Sequence, residues 1–547
     1  ATPSSSMGRS NMAGLAVLRV VWNSMTDAPK DGTVILVLLE RMRWVQLLAV
    51  DDLWPMSLVW TYYYGEVDIA YWEYLVGSIY LVVIYIYFSR VKTMAIKKHP
   101  EYKHLLWGFF AKIIGGLGFS LIYFYYYNGG DTIMYFYSAV AMSNMFWLDP
   151  MTYFDIVTGP NSPENLARFS METGYPIGTM FFEPRAYFVI RLISPMVIMT
   201  FNSYMITTVV LASMSYVGIW KCFRTFSSMF PSLTDKFAVA FLYMPSVVFW
   251  GSGIMKDTFT MSAVCWWIHC FVQFFFKRRS LVGNFFGMVL AAIILGVMKP
   301  YIFMSIFPVS MIWLMFNRVA GMKNALIRFV LLPLALTTML FLSVTVLSWL
   351  GDNLDKFSLD KVVDTVMVLQ EDMSRAEQYG SNYFDVGPMD GTLGSLLSKF
   401  PVATNAALFR PYLWEARSVV VALSALENLW LLGLTLLMLW RTRVLFFLRC
   451  IGGNPVVLMC FVFTLLFGFA IGISTPNFGA LVRFKIPLIP LMVSALYIIG
   501  YLNRERIWAK VRNRVFDLKK YRTGEMGAEG LISREAVAKR KRTPQQA

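Results

Sequence analysis

Charge is scarce in this chain of 547 residues, where Asp, Glu, Lys and Arg together make up 15% against 57% apolar and 16% aromatic residues. That excludes a soluble globule, which needs more polar surface, and leaves an integral membrane protein. Histidine is scarcer still: His99, His104 and His269 are the whole complement, and the first two share a basic loop, which argues against imidazole catalysis or metal binding. The five cysteines, Cys222, Cys265, Cys270, Cys450 and Cys460, lie in or beside apolar stretches without paired spacing to His. Neither a disulfide framework nor a zinc site is implied. Alternating segments of about ten residues are missing too, which excludes a closed barrel. No internal repeat or inverted symmetry is visible.

What is present is a series of apolar stretches of about 17 to 25 residues, the length of helices cut to a hydrocarbon core. They fall at 72–88, 105–127, 203–222, 237–250, 258–276, 281–298, 300–316, 326–349, 418–440, 455–473 and 485–502. The expected fold is therefore all-α and polytopic, with about eleven transmembrane helices over residues 71–502. Residues 1–70 are left unassigned: 1–32 are largely polar, and 34–50 are interrupted by Glu40, Arg41 and Arg43 without the order of a signal peptide.

The formal charge of +16 comes from Lys and Arg dispersed among the loops and densest in the tail, 503–547. This distribution reads as topology signals and attraction to anionic lipids, with no nucleic-acid partner and no protein partner identified. Loops 90–103, 221–236, 277–279, 318–328 and 441–449 are basic, as cytoplasmic segments should be. The two long loops, 128–202 and 351–417, carry more acid than base and are expected on the opposite, extracytoplasmic side. They should bear short or interfacial helices. Ala186 to Phe201 contains Arg191 and Pro195, and counting it as a span would invert every later loop, so it is expected at the interface. The amino terminus is then extracytoplasmic and the carboxyl terminus cytoplasmic.

On this scheme five unusual patches fall at the extracytoplasmic mouths of spans. Asp131 follows two glycines after an aromatic run, placed either as a base toward a hydroxyl or as a helix N-cap. Lys256 and Asp257 lie between two apolar runs, where ionisable residues pair with each other, snorkel or serve a site. Lys299 precedes Pro300 and could satisfy carbonyls freed by the proline or face a ligand. Arg410 has the planar fork that suits phosphate, with Glu415 and the rings Tyr412 and Trp414 nearby. Arg483 and Lys485 stand against the positive-inside trend, which an anionic ligand would explain.

Taken together, several motifs resemble a group of largely uncharacterised bacterial polytopic membrane proteins. They are Gly129-Gly130-Asp131-Thr132, Pro245 through Asp257, Leu408 through Glu415, Ser424-Ala425-Leu426-Glu427-Asn428, and Asn477 through Pro487. The likeness covers roughly Trp72 to Tyr501, and the group in turn resembles the GT-C glycosyltransferases. That resemblance implies a multi-pass protein of the bacterial inner membrane working in cell-envelope glycan synthesis. It would transfer a sugar from a polyprenyl-phosphate carrier to an acceptor at the extracytoplasmic face. Asp131 matches the acidic residue of the first outer loop, and Lys256, Arg410, Arg483 and Lys485 become candidate phosphate ligands. Asp257, Lys299 and Glu415 complete the expected substrate-binding set. No cofactor is implied. Many members of the family pair two acidic residues in that loop, whereas Asp131 has no adjacent carboxylate, so use of a divalent metal stays open. A polymerase of lipid-linked polysaccharide, a lipid or polysaccharide transporter and a non-enzymatic subunit of an envelope complex are the alternatives.

Overall fold

The computed structural model describes residues 71–127, 129–320, 366–368, 383–387, 390 and 392–522, all within one unit that spans 62–547. The unassigned segment 1–70, the expected span 326–349, most of loop 351–417 and the tail beyond 522 lie outside the described residues. Every regular element that is described is helical. Among the described residues eight helices are long and apolar enough to cross a membrane, or nine if one bent pair counts as a single span.

The first two spans are α1 (Tyr71–Ala95) and α2 (Leu105–Leu121), the latter running on into a wide turn at Ile122–Tyr126. α1 leaves Leu75, Ile79, Val82 and Val83 exposed. Such a face suits hydrocarbon, and the helix satisfies its own backbone polar groups. Glycines 129 and 130, both at positive φ, turn the chain into α3 (Asp131–Leu148). Asp149 then caps α4 (Pro150–Thr158) by accepting from the amides of Met151 and Thr152. After α5 (Pro163–Leu166) and α6 (Gly178–Phe182), Glu183 caps α7 (Pro184–Met199). α7 does not lie free. It buries Tyr187, Ile190, Ile193 and Val197, packs on α3, and satisfies Arg191 through the Gly159 carbonyl and the Tyr187 ring.

α8 (Tyr204–Met229) is a deeply buried span. The stretch expected at 237–250 consists of α9 (Thr234–Ala238), a wide turn at Val239–Tyr243 and α10 (Pro245–Trp250). Pro245 has no amide hydrogen to continue the ladder, so the run breaks before it. The carbonyl of Gly251, just past α10, accepts from Lys112, a buried lysine in the second span that hydropathy alone does not single out. Three further spans follow in hairpins: α11 (Lys256–Phe271), α12 (Leu281–Met298) and α13 (Pro300–Ala320).

Beyond the undescribed stretch come α14 (Leu393–Ser398), α15 (Phe400–Phe409), the span α16 (Val419–Thr442), α17 (Val444–Gly453) and the span α18 (Pro455–Ser474). The last span is bent by 61° between α19 (Phe478–Phe484) and α20 (Leu488–Arg522). Several basic loops meet at one end of the bundle. Lys103 reaches Asp235 at 2.6 Å, Arg224 reaches Glu101 at 3.3 Å, and Lys277 donates to Ser228 at 2.7 Å.

Helices in apolar surroundings approach closely only through small residues. At Gly472 a methyl group would lie 1.9 Å from the Ala403 carbonyl oxygen, which is backbone and cannot rotate away, whereas at Gly468 the nearest atom would be 3.8 Å off. Gly472→Ala is therefore expected to lower stability by about 1–3 kcal/mol through separation of α15 and α18. Gly468→Ala should leave the thermal unfolding midpoint nearly unchanged. Equal midpoints for the two variants would refute this account of the packing.

Candidate functional site

Four starts and ends of helices converge on one cavity of about 500 Å³. Its lining holds Asp131 from the first turn of α3, Lys256 and Asp257 from the first turn of α11, Lys299 between α12 and α13, and Arg483 near the end of α19. The same cavity is also lined by apolar side chains, among them Met304 of α13 and Leu466, Phe469, Ala470 and Ile473 of α18.

The charged side chains form a ladder of alternating sign. An Nη of Arg483 lies 3.4 Å from Asp131, its Nε lies 3.3 Å from Asp257, and Lys299 meets the other oxygen of Asp257 at 2.5 Å. Lys299 also sits 3.9 Å from the centre of the Phe484 ring. Asp257 is 2% exposed, and the oxygen facing Arg483 is buried without a well-aligned hydrogen bond, as is Arg483 Nε. The Asp131 side chain is 42% exposed, so of the two carboxylates on Arg483 it is the one a ligand can replace.

These contacts decide between readings the sequence left open. Gly130, not Asp131, is the N-cap of α3, and the Asp131 carboxylate turns to Arg483 instead of capping. Lys256 does not neutralise its neighbour Asp257 but pairs with Glu183 at 3.0 Å. Lys299 satisfies a carboxylate and not the carbonyls around Pro300.

Arg410, Glu415 and Lys485 are not in the cavity lining. Arg410 is paired with Glu415 and lies over the rings of Phe384 and Phe478 at 4.9 and 5.6 Å, so its fork is already filled. Glu415 in addition accepts from the Tyr412 amide. Lys485 donates to Asn428 at 2.6 Å and to the Arg410 carbonyl at 3.1 Å. Asn428 closes the loop by donating to the Pro411 carbonyl. The cluster holds the bend between α19 and α20, and with it the helix that carries Arg483. It also ties Arg410 to the same end of the bundle as Asp131.

Of the charged and phenolic residues that line the site, Glu183, Arg185 and Tyr135 escaped sequence reasoning. Burial opposes ionisation of Glu183, but Lys256, the Ala186 amide and Arg185 outweigh it and hold the carboxyl below its ordinary range. Burial pushes the Tyr135 phenol up, so it remains a hydrogen-bond donor. The signal for the first two was the Glu183-Pro184-Arg185 doublet opening an apolar helix, the same kind of mark that singled out Lys256 and Asp257.

Among the described residues no group of three or more His, Cys, Asp or Glu side chains could hold a metal ion. No protein-family model matches the chain, and neither does any curated protein or solved structure.

Proposed function

We propose that this chain is a membrane glycosyltransferase of GT-C type that moves a sugar from a polyprenyl-phosphate carrier to an acceptor. The observation that carries the reading is the mixed cavity, in which Asp131, Arg483, Lys256 and Lys299 share one lining with apolar side chains from α13 and α18. An amphipathic anion with a hydrocarbon tail is the ligand class such a cavity fits.

In the reaction the oxygen of an acceptor hydroxyl bonds to the anomeric carbon while the bond from that carbon to the carrier phosphate oxygen breaks. Asp131 takes the hydroxyl proton, and the phosphate leaves with the bonding pair. Arg483, Lys256 and Lys299 offset its developing charge in surroundings of low dielectric. Arg410, Glu415 and Lys485 position α19 and do not touch the substrate.

The finer topology belongs to the same proposal. With eleven spans, of which 237–250 crosses as a broken helix, the cavity lies on the extracytoplasmic side of the bacterial inner membrane. The amino terminus is then outside, the carboxyl terminus cytoplasmic, and the basic tail rests on anionic lipid headgroups. Clustering of the charged lining at one end of the bundle supports transfer over passage, which needs charge along a path.

The test is incubation of purified protein in liposomes with a radiolabelled polyprenyl-phosphate sugar and a membrane-derived acceptor. A single added sugar, dependent on acceptor, is the expected product. A ladder on the gel would identify a polymerase, label crossing the bilayer without acceptor would identify a transporter, and no turnover would leave a structural role.

A further inference from the structure

Four buried phenols of the bundle are satisfied by protein. Tyr153 meets Ser194 at 3.0 Å, Tyr187 donates to the Ile156 carbonyl at 3.3 Å, Tyr204 meets Thr132 at 2.8 Å, and Tyr216 donates to the Leu105 carbonyl at 2.8 Å. Two phenols of the cavity lining, Tyr135 and Tyr301, differ from them. Neither hydroxyl makes a hydrogen bond with a described residue, and neither is sealed in by protein, although Tyr135 is only 3% exposed. Whatever fills the cavity must partner them, because a phenol left dry and unpaired is costly.

Each follows a charged residue of the same lining closely in sequence. Tyr135 comes one turn after Asp131 on the same face of α3, and its ring lies 5.9 Å from the Lys256 ammonium. Tyr301 opens α13 just after Lys299, and its ring stacks nearly parallel to that of Phe467 in α18, with 6.1 Å between centres. The ion pairs of the lining are committed to one another: Arg483 to Asp131 and Asp257, Lys299 to Asp257, and Lys256 to Glu183. A neutral hydroxyl competes poorly for a group already held by an opposite charge, and at these two phenols it meets no such competitor. Resting on the reading of this cavity as a site for a lipid-linked sugar, we infer that Tyr135 and Tyr301 form its sugar subsite, each sharing a hydrogen bond between its phenol oxygen and a hydroxyl of the sugar while the cations meet the phosphate. A phenol donates and accepts as a sugar hydroxyl does, so the pairing works in either direction. Both are specificity-determining residues, because an analogue without the hydroxyl leaves the phenol unpaired. Neither takes part in the breaking of a bond.

Probes of equal charge separate sugar contacts from phosphate contacts. Native mass spectrometry of the full chain would compare lipids with one isoprenoid tail that end in a methyl phosphodiester or in a glucosyl, galactosyl, mannosyl or N-acetylglucosaminyl phosphodiester. At least one of the sugar lipids is expected to bind about tenfold more tightly than the methyl diester, the effect of two hydrogen bonds. Tyr135→Phe and Tyr301→Phe remove one oxygen each and should each cut that preference by about two- to tenfold. Binding of the methyl diester should stay unchanged in both variants, which also shows that they are folded.

An unchanged preference in both variants, or a loss of methyl-diester binding equal to the loss of sugar-lipid binding, would overturn the inference and leave the phenols to the phosphate or to packing. An unaltered chain that binds every sugar lipid no better than the methyl diester would overturn it too, with the carrier reading still in place. Failure of every lipid to bind would overturn both.

Discussion

Asp131→Asn is expected to lower sugar transfer by about 10²–10⁴-fold, the usual contribution of a positioned general base. Carrier binding should hold or tighten. The reason is geometric: Asp131 shares Arg483 with Asp257 at 3.4 and 3.3 Å, and only Asp131 is open to solvent. In the proposed reaction an incoming phosphate competes with Asp131 for the guanidinium. Removing the carboxylate's charge removes the competitor, and removing its basicity removes the proton acceptor. Turnover and lipid-phosphate affinity measured on the same purified variant separate the two effects. Undiminished turnover would take Asp131 out of the chemistry, and a loss of binding equal to the loss of rate would mean that its role is to hold the site together.

Asp257→Ala should be the most destabilising single change in the site, by about 3–5 kcal/mol, because it leaves the buried Lys299 without its counter-ion and takes from Arg483 the more enclosed of its two carboxylates. The Asp257 and Lys299 side chains are 3% and 7% exposed, so water cannot replace the lost partner. The double variant Asp257→Ala, Lys299→Met should be less damaged than the sum of the singles, since it also deletes the lysine left without a carboxylate, while Arg483 keeps Asp131. Denaturant unfolding in detergent would measure this. Strict additivity, or an unfolding midpoint for Asp257→Ala equal to that of the unaltered chain, would show that the pair contributes little.

The Gly472 variant probes a different level of the molecule from these two. Gly472 reports on how closely two helices pass. A site that tolerated Asp131→Asn in binding but failed with Lys485→Met would locate the sensitivity in the bend that carries Arg483.

Much of the helix inventory was legible in the sequence because the hydrocarbon core selects for length and apolarity, and both can be read residue by residue. Spans expected at 281–298 and 455–473 appear as Leu281–Met298 and Pro455–Ser474. The break inside 237–250 was less legible. Its composition is apolar throughout, and only the placement of Pro245 and the reach of Lys112 to the Gly251 carbonyl give it away.

By itself the sequence determined that ionisable residues would be stranded at the mouths of apolar helices, since such residues are costly there and stand out against their neighbours. It could not say which of them meet. Lys256 joins Glu183 across 73 positions, Lys299 joins Asp257 across 42, and Arg483 joins Asp131 across 352. Partner choice depends on which helix ends the bundle brings together, and long-range packing leaves no local pattern. For the same reason only the tertiary structure separated Arg483, facing the cavity, from Arg410 and Lys485, which are occupied in holding the helix that presents it.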